Sequence, residues 1–443
     1  MNQKKAFVVF LIIFFLKDIV TLAQSENYIW DLSPLLSSEE AWETEKTVIE
    51  NKIIELKKYE GTLGKNAESL ADALDAVYEL RARTGKMYMY GLLNYEVHAN
   101  SDKALQQYDI STAFDSKVES AVAFIRGEIK NIGENKIKEW IKKEPRLEKH
   151  KIRLNRIIYE SPYTLSNESQ KVLESVLRWP RLSVDAYDKF YNSDLGWSIL
   201  KGMDGKEIVA DPGAYNEAIR GPKNPDREKI INMFLQKLKI LEDPFGILFT
   251  RRVEADLTIA KNRGFNGGMD AIWYLRDGMP VGSYKLAIEV SQSTLPTLNK
   301  YLKLRSQVLG VDRMSFADIF TRTKLKKRFT IQETFDNYYN ASKIFGAEYQ
   351  NKLKERIKKP WMHLVDSDEK SGTYGIFPPV DDSPPYILMN YRETLASSRA
   401  LAGALGLMMA FEDIAEVHPS DTRDDPGITS NAYIYVSNLL YYE

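Results

Sequence analysis

Residues 385–410, reading PYILMNYRETLASSRALAGALGLMMA, constrain this chain more than any other segment. An apolar run, Tyr386-Ile387-Leu388-Met389, ends in Asn390 and Tyr391 and reads as a strand. Thr394-Leu395 follow, and then a helix centred on Leu401 to Ala410. Taken alone, the small residues of that helix suit close packing. Gly403 and Gly406 weigh against an ordinary amphipathic helix, because each costs a helix interior about 1 kcal/mol relative to Ala.

Most of the remaining pattern is helical. Ser37 and Glu40 fit a capping box, and Trp42, Ile49, Ile53 and Leu56 recur at helical spacing. A second helix is expected over Ser69–Tyr90. A third is expected from Lys103 to Ile132, with Leu105, Tyr108, Phe114, Val118, Ala121 and Phe124 along one face. The segment Lys136–Arg153 alternates sign with Glu139, Glu144 and Glu148, which predicts a solvated surface interrupted at Pro145. Lys201 to Lys206, KGMDGK, reads as a tight hairpin turn. Pro378-Pro379 and Pro384-Pro385 bracket Asp381-Asp382 as the loop of a β-hairpin joining 372–377 to 386–391.

With 443 residues, 44% of them hydrophobic and 28% charged, the chain can bury a large core and should form two or three domains. The expected fold is mainly α and multi-lobed, with a small β-hairpin or sheet beside the helix at 401–410. A boundary is expected between an N-terminal helical domain, 24–195, and a second domain, 196–443, because the helical repeat breaks at Trp179-Pro180 and again at the hairpin.

The layout of 385–410 resembles the oligoendopeptidase F branch of the thimet oligopeptidase family. There a strand like P-Y-I-L-L-N-Y precedes T-L and a helix of the form L-A-H-E-L-G-H-A-M-H. The resemblance is collinear from about residue 29 to the last residue. Ile29-Trp30-Asp31-Leu32-Ser33-Pro34-Leu35 is similar to the family's opening W-D-L-S-P-L. Ser161-Pro162-Tyr163-Thr164-Leu165-Ser166 is similar to an element reading H-T-L-S, with Tyr163 in place of the His. Asp211–Arg227 and Ala260-Lys261-Asn262-Arg263-Gly264-Phe265 resemble arginine-bearing helices ending in A-K-x-R-G-Y. Met279-Pro280-Val281, Tyr301 to Arg305, Leu309-Gly310-Val311 leading to Asp318, and Ser371 to Gly375 follow in family order.

The resemblance implies a zinc peptidase in which two histidines and a glutamate bind the metal and a second glutamate is the general base. Those positions fall on Gly403, Leu407 and Asn438 for the ligands and on Ala404 for the base. A catalytic zinc takes three protein ligands from His, Glu, Asp or Cys plus an open water position. None of the four residues meets that need, so no catalytic residue, no metal ligand and no cofactor is expected here. The resemblance also implies that the strand system beside the helix pairs with a peptide backbone, which needs no particular side chains. Tyr386, Ile387, Leu388, Met389, Asn390 and Tyr391 are the candidate peptide-binding strand.

Other chemistry finds little support. His98, His150, His363 and His418 form no close pair in sequence, and His363 stands where the family tends to place an Asp. Glu412, Asp413, Glu416 and His418 could gather a metal, yet a polar helix end accounts for them equally well. No G-x-S-x-G elbow is present, and Ser397-Ser398 simply precede the helix. Lys plus Arg (61) nearly cancel Asp plus Glu (62), and no basic stripe with interleaved aromatics occurs, so nucleic-acid binding is unsupported. Lys4-Lys5, the eleven apolar residues Ala6 to Leu16, and a small residue, Ala23, before Gln24 read as a signal peptide, 1–23. That stretch is shorter than the roughly 18–20 residues a membrane-spanning helix needs. There is no Cys, which removes disulfides, thiolate metal sites and a thiol nucleophile.

The chain stops at Glu443, barely a turn after Asn438, where family members usually continue through a helical section. Tyr433, Tyr435, Leu439, Leu440, Tyr441 and Tyr442 are left with fewer partners. Either the gene is truncated or a partner chain covers this face. The reading is an exported, periplasmic or extracellular oligoendopeptidase F homologue that has lost zinc binding and peptidase activity, with peptide binding as its remaining role. The alternatives are an active zinc endopeptidase cleaving short peptides and a truncated product without function.

Overall fold

The structure, a computed structural model, describes residues 28–166, 196–221, 224–321, 327–367, 369–371, 374–417 and 427–441, with isolated positions between 169 and 187. The expected signal peptide and the expected boundary at residue 195 lie outside the described residues. Two compact units are formed, one from residues up to 162 together with 327 onward, the other from 163–326. Among the described residues no helix is long and apolar enough to cross a membrane.

The first unit begins with α1 (Glu39–Leu56). Its cap is Ser38, not the expected Ser37: the Ser38 hydroxyl accepts from the Ala41 N–H at 3.2 Å, with Glu39 and Glu40 in the first turn where the helix dipole favours them. Helix α2 (Ala67–Val97) is longer than expected and is capped by Asn66, which accepts from the Ser69 N–H at 2.8 Å. The third expected helix is two, α3 (Asp102–Ala121) and α4 (Phe124–Ile132). The break at Val122 lets Val118, Val122, Ile125 and Ile129 all enter one core. Segment 136–153 is only half solvated. In α5 (Glu134–Lys143) the lysines point outward while Ile137, Trp140 and Ile141, an i, i+3, i+4 stripe, pack inward with Leu147 and with Leu154 of α6 (Lys151–Glu160).

The second unit opens with the expected hairpin, β1 (Ile199–Lys201) antiparallel to β2 (Glu207–Val209). Gly202 N–H donates to the Lys206 carbonyl at 2.8 Å, and Gly205 takes the turn's φ of 83°. Helices α7 (Pro212–Arg220), α8 (Pro225–Lys239), α9 (Glu242–Asn262), α10 (Gly268–Asp277) and α11 (Ser283–Leu309) follow. Buried Arg227 ties several of these together: its Nε donates to the Ala218 carbonyl at 2.9 Å and its Nη2 to Thr321 Oγ1 at 3.1 Å, 3.5 Å from buried Asp318 Oδ1.

The chain then returns to the first unit. Helix α12 (Ile331–Ala341) opens on a reciprocal Thr330–Glu333 capping box, and α13 (Gly346–Arg356) follows. Strands β3 (Met362–His363), β4 (Tyr374–Phe377) and β5 (Tyr386–Met389) form a sheet in the order β3-β5-β4, with β3 parallel and β4 antiparallel to β5. Beyond them lie α14 (Leu395–Val417) and α15 (Gly427–Leu440). All four residues of β5 are buried because each face meets a different core. Tyr386 and Leu388 join Trp30 and, from α2, Met89 and Leu93. Ile387 and Met389 join Leu401, Leu405 and Met408 of α14.

Glycine sets the approach of α14 to α15. A Cβ on Gly406 would overlap Ser437 Oγ and lie 2.5 Å from Ser437 Cβ and 2.9 Å from Tyr338 Oη. On Gly403 it would meet the Asn438 amide at 3.0 Å and Ile434 Cγ2 at 3.2 Å, side-chain ends that can shift. Gly406→Ala is therefore expected to cost about 1–3 kcal/mol by overpacking. Gly403→Ala should be near neutral, since about 1 kcal/mol of helix propensity offsets the contact. Urea unfolding should rank the two variants, and equal midpoints would show that α15 yields freely.

Candidate functional site

Of the four positions to which the resemblance assigns zinc chemistry, Gly403, Leu407 and Asn438 lie at the contact of α14 with α15, and Ala404 faces the core built on β5. Gly403 and Ala404 are adjacent on α14, Leu407 is about one helical turn further on, and all three are buried. Ala404 belongs to the core that holds Ile387 and Met389 of β5, and Leu407 packs with Ile434 of α15. Asn438 stands against Gly403, and its buried Oδ1 finds no hydrogen-bond partner. The donor set is thus one neutral amide oxygen facing carbon atoms. These residues do not fit a zinc ion, which needs three donors held in a tetrahedral arrangement.

Neutral hydroxyls occupy the surrounding space. Thr334 Oγ1 is 2.7 Å from Tyr391 Oη and 2.6 Å from Ser398 Oγ, and Tyr391 donates on to the Phe329 carbonyl at 2.8 Å. Ser398 also bonds Tyr441 Oη. Tyr338 Oη donates to Ser437 Oγ at 3.0 Å and lies 2.9 Å from Tyr349 Oη. Burial raises the pKa values of Tyr338, Tyr349 and Tyr391, so these phenols stay protonated and join α12, α13, α14 and α15 by hydrogen bonding. Ser398 is bonded to hydroxyls, not to a base that could activate it. The sequence reading missed this network, for which the T-x-x-E capping signal that opens α12 was the only local clue.

The candidate peptide-binding strand needs a correction. Residues 386–389 are the central strand of the sheet, with ladder partners on both sides, so their backbone has no free edge to offer. Asn390 is also engaged, donating from Nδ2 to the Ser367 carbonyl at 3.1 Å. The edge strands of this sheet are β3 and β4, of which β4, Tyr374–Phe377, is the longer.

The acidic cluster after the helix core is neutralised. Lys352 bonds Asp413 at 2.7 Å and Glu416 at 2.9 Å, and the Arg356 Nε bonds Glu412 at 2.7 Å. His418 lies outside the described residues. Among the described residues no group of three or more His, Cys, Asp or Glu could hold a metal ion. His150 is buried against Asp75, its Nε2 2.8 Å from Oδ1, and His98 Nδ1 is 3.1 Å from the Asn94 carbonyl.

His363, on β3, has its Nδ1 buried without a partner and packs edge-on against Trp30. Lys370 Nζ reaches the carbonyls of His363, Val365 and Met389, closing the ends of the parallel pair β3 and β5. Burial, with the Lys370 charge nearby, lowers the His363 pKa from 6.5 to about 4. The unfolded chain therefore binds the extra proton first, and stability should fall as pH drops from about 6.5 to about 4. Urea midpoints at the two ends of this window should differ less in His363→Gln than in wild type. An unchanged difference would assign the acid sensitivity to other groups.

Comparison with known proteins fits this architecture. The family model described as Oligopeptidase F matches residues 128–195. The chain is 21% identical over 419 residues to the group B oligopeptidase PepB of Streptococcus agalactiae, spanning 94% of this chain and 68% of that protein. It is 23% identical over 385 residues to the oligopeptidase PepF of Bacillus subtilis, spanning 85% of this chain and 56% of the relative. The crystal structure of oligoendopeptidase-F from Enterococcus faecium superposes with a TM-score of 0.63 at 17% identity, covering 91% of this chain and 66% of the other. With its collinear motifs, its helical fold and the strand-then-helix arrangement of β5 and α14, the chain is similar to the oligoendopeptidase F-type peptidases over most of its length and shares their fold.

Proposed function

We propose that this protein is an exported, non-hydrolytic relative of the oligoendopeptidases whose remaining role is to bind peptides. The observation that carries the proposal is that Gly403, Ala404 and Leu407 of α14 have no donor atom in their side chains and are packed against apolar groups and the neutral Asn438 amide. A hydrolytic water needs a Lewis acid or a base to activate it, and these residues offer neither. Peptide binding is supported by β4, an edge strand whose backbone can accept an extended chain by β-augmentation. Export is supported by the basic, apolar and small-residue sequence of residues 4–23. The second reading, a working zinc endopeptidase, is favoured by similarity to oligopeptidases over most of the chain.

Metal content by mass spectrometry on residues 24–443, purified without chelators, separates the two readings when a quenched fluorescent peptide assay is run on the same sample. Little zinc and no chelator-sensitive cleavage are expected, and stoichiometric zinc with cleavage would establish the second reading. The triple variant Gly403→His, Ala404→Glu, Leu407→His is expected to gain at best weak zinc binding, because Asn438 remains an uncharged ligand. Robust chelator-sensitive activity in that variant would show that the rest of the peptidase machinery is intact.

A further inference from the structure

The open edge of β4 is tied at both ends to one helix. Past its C-terminal end, Tyr78 of α2 donates its hydroxyl to Asp381 Oδ1 at 2.8 Å. Lys86, two turns along the same helix, lies 3.2 Å from Asp381 Oδ2 and also pairs with Asp382. Asp381 holds a φ of 55°, a left-handed conformation that a residue with a Cβ keeps only when its surroundings enforce it. The ion pairs and the tyrosine hydroxyl are that enforcement.

Before β4, the tie is made by backbone. Ala99 N–H donates to the Glu369 carbonyl at 2.8 Å, and Ser371 N–H donates to the Glu96 carbonyl at 3.0 Å. The Ser371 hydroxyl reaches the Glu96 carboxylate, and Lys370 fastens the same segment to the carbonyls of His363, Val365 and Met389. Met89 and Leu93, on the stretch of α2 between the two ties, pack with Tyr386 and Leu388 of β5. The helix therefore runs along the hairpin and grips it at both ends.

We propose that α2 is a two-point clamp that keeps β4 extended before any peptide arrives, with Tyr78 and Lys86 as positioning residues acting through Asp381 and Asp382. A four-residue edge strand held on one side only would otherwise have to be ordered by its ligand, at a cost in affinity. The purpose of the clamp rests on the peptide-binding reading, but its existence does not, and the two can be tested apart.

Hydrogen exchange read by mass spectrometry on the free, full-length protein tests the clamp in Tyr78→Phe, Lys86→Met, the double variant and Lys86→Arg. The double variant should exchange the amides of 374–383 at least tenfold faster than wild type, while those of α3 around Phe114 and Val118 keep their protection. Lys86→Arg should restore most of the protection lost in Lys86→Met, because a guanidinium can still reach both carboxylates. Unchanged exchange at 374–383 in the double variant would overturn the clamp, as would loss of protection spread equally over α3. Anisotropy of a fluorescein-labelled octapeptide of alternating Ala and Val then tests the peptide-binding reading alone. If wild type fails to bind that probe while the exchange result holds, the clamp stands and the purpose assigned to it falls.

Discussion

Strand β5 is apolar at each of its four positions because it separates two cores. Its even-numbered residues close the core built on α2 and Trp30, and its odd-numbered residues close the core built on α14. A strand buried on both faces must also satisfy its backbone, and flanking strands on each side do so. The N-terminal helices and the C-terminal helix pair are thereby joined through one short segment. Lys370 completes the junction by supplying a cation to carbonyls at the strand ends, so the end of the parallel pair is closed by a side chain.

The interior next to α14 is polar in a restrained way. Its groups are hydroxyls bonded to one another, and burial keeps the phenols uncharged. Such a network orients helices without the desolvation penalty of a buried ion pair. It also matches the donor-free Gly403, Ala404 and Leu407: no strong charge there needs an answer from its neighbours. The unsatisfied Asn438 oxygen is a discordant group, a polar atom pressed on a glycine. In the second unit the buried Arg227 and Asp318 make the opposite choice and hold a charged pair in the interior.

Much of this was legible from residues close in sequence. Helical periodicity, the caps, the KGMDGK turn and the proline-bracketed hairpin all depend on local backbone preference, and the first helix and both hairpins formed within a few residues of where the pattern placed them. The errors arose where distant packing decides. The helix break at Val122 exists to bring Val122 and Ile125 into a shared core, which periodicity alone does not reveal. The role of 386–391 was misread because β3 is two residues long and carries no strand signal, so nothing in the sequence marks β5 as central. The hydroxyls beside Gly406 and Ser398 came into view only with the helices in place.

The interruption of the first unit by the second has a consequence for synthesis. Leu93 and Leu388 share a core yet are separated by 295 residues of sequence. At a ribosomal rate of roughly 5–20 residues per second, the apolar side of α2 waits on the order of 15–60 s for the strand that covers it. During that interval Trp30, Met89 and Leu93 lack Tyr386 and Leu388, the residues that complete their core in the folded chain.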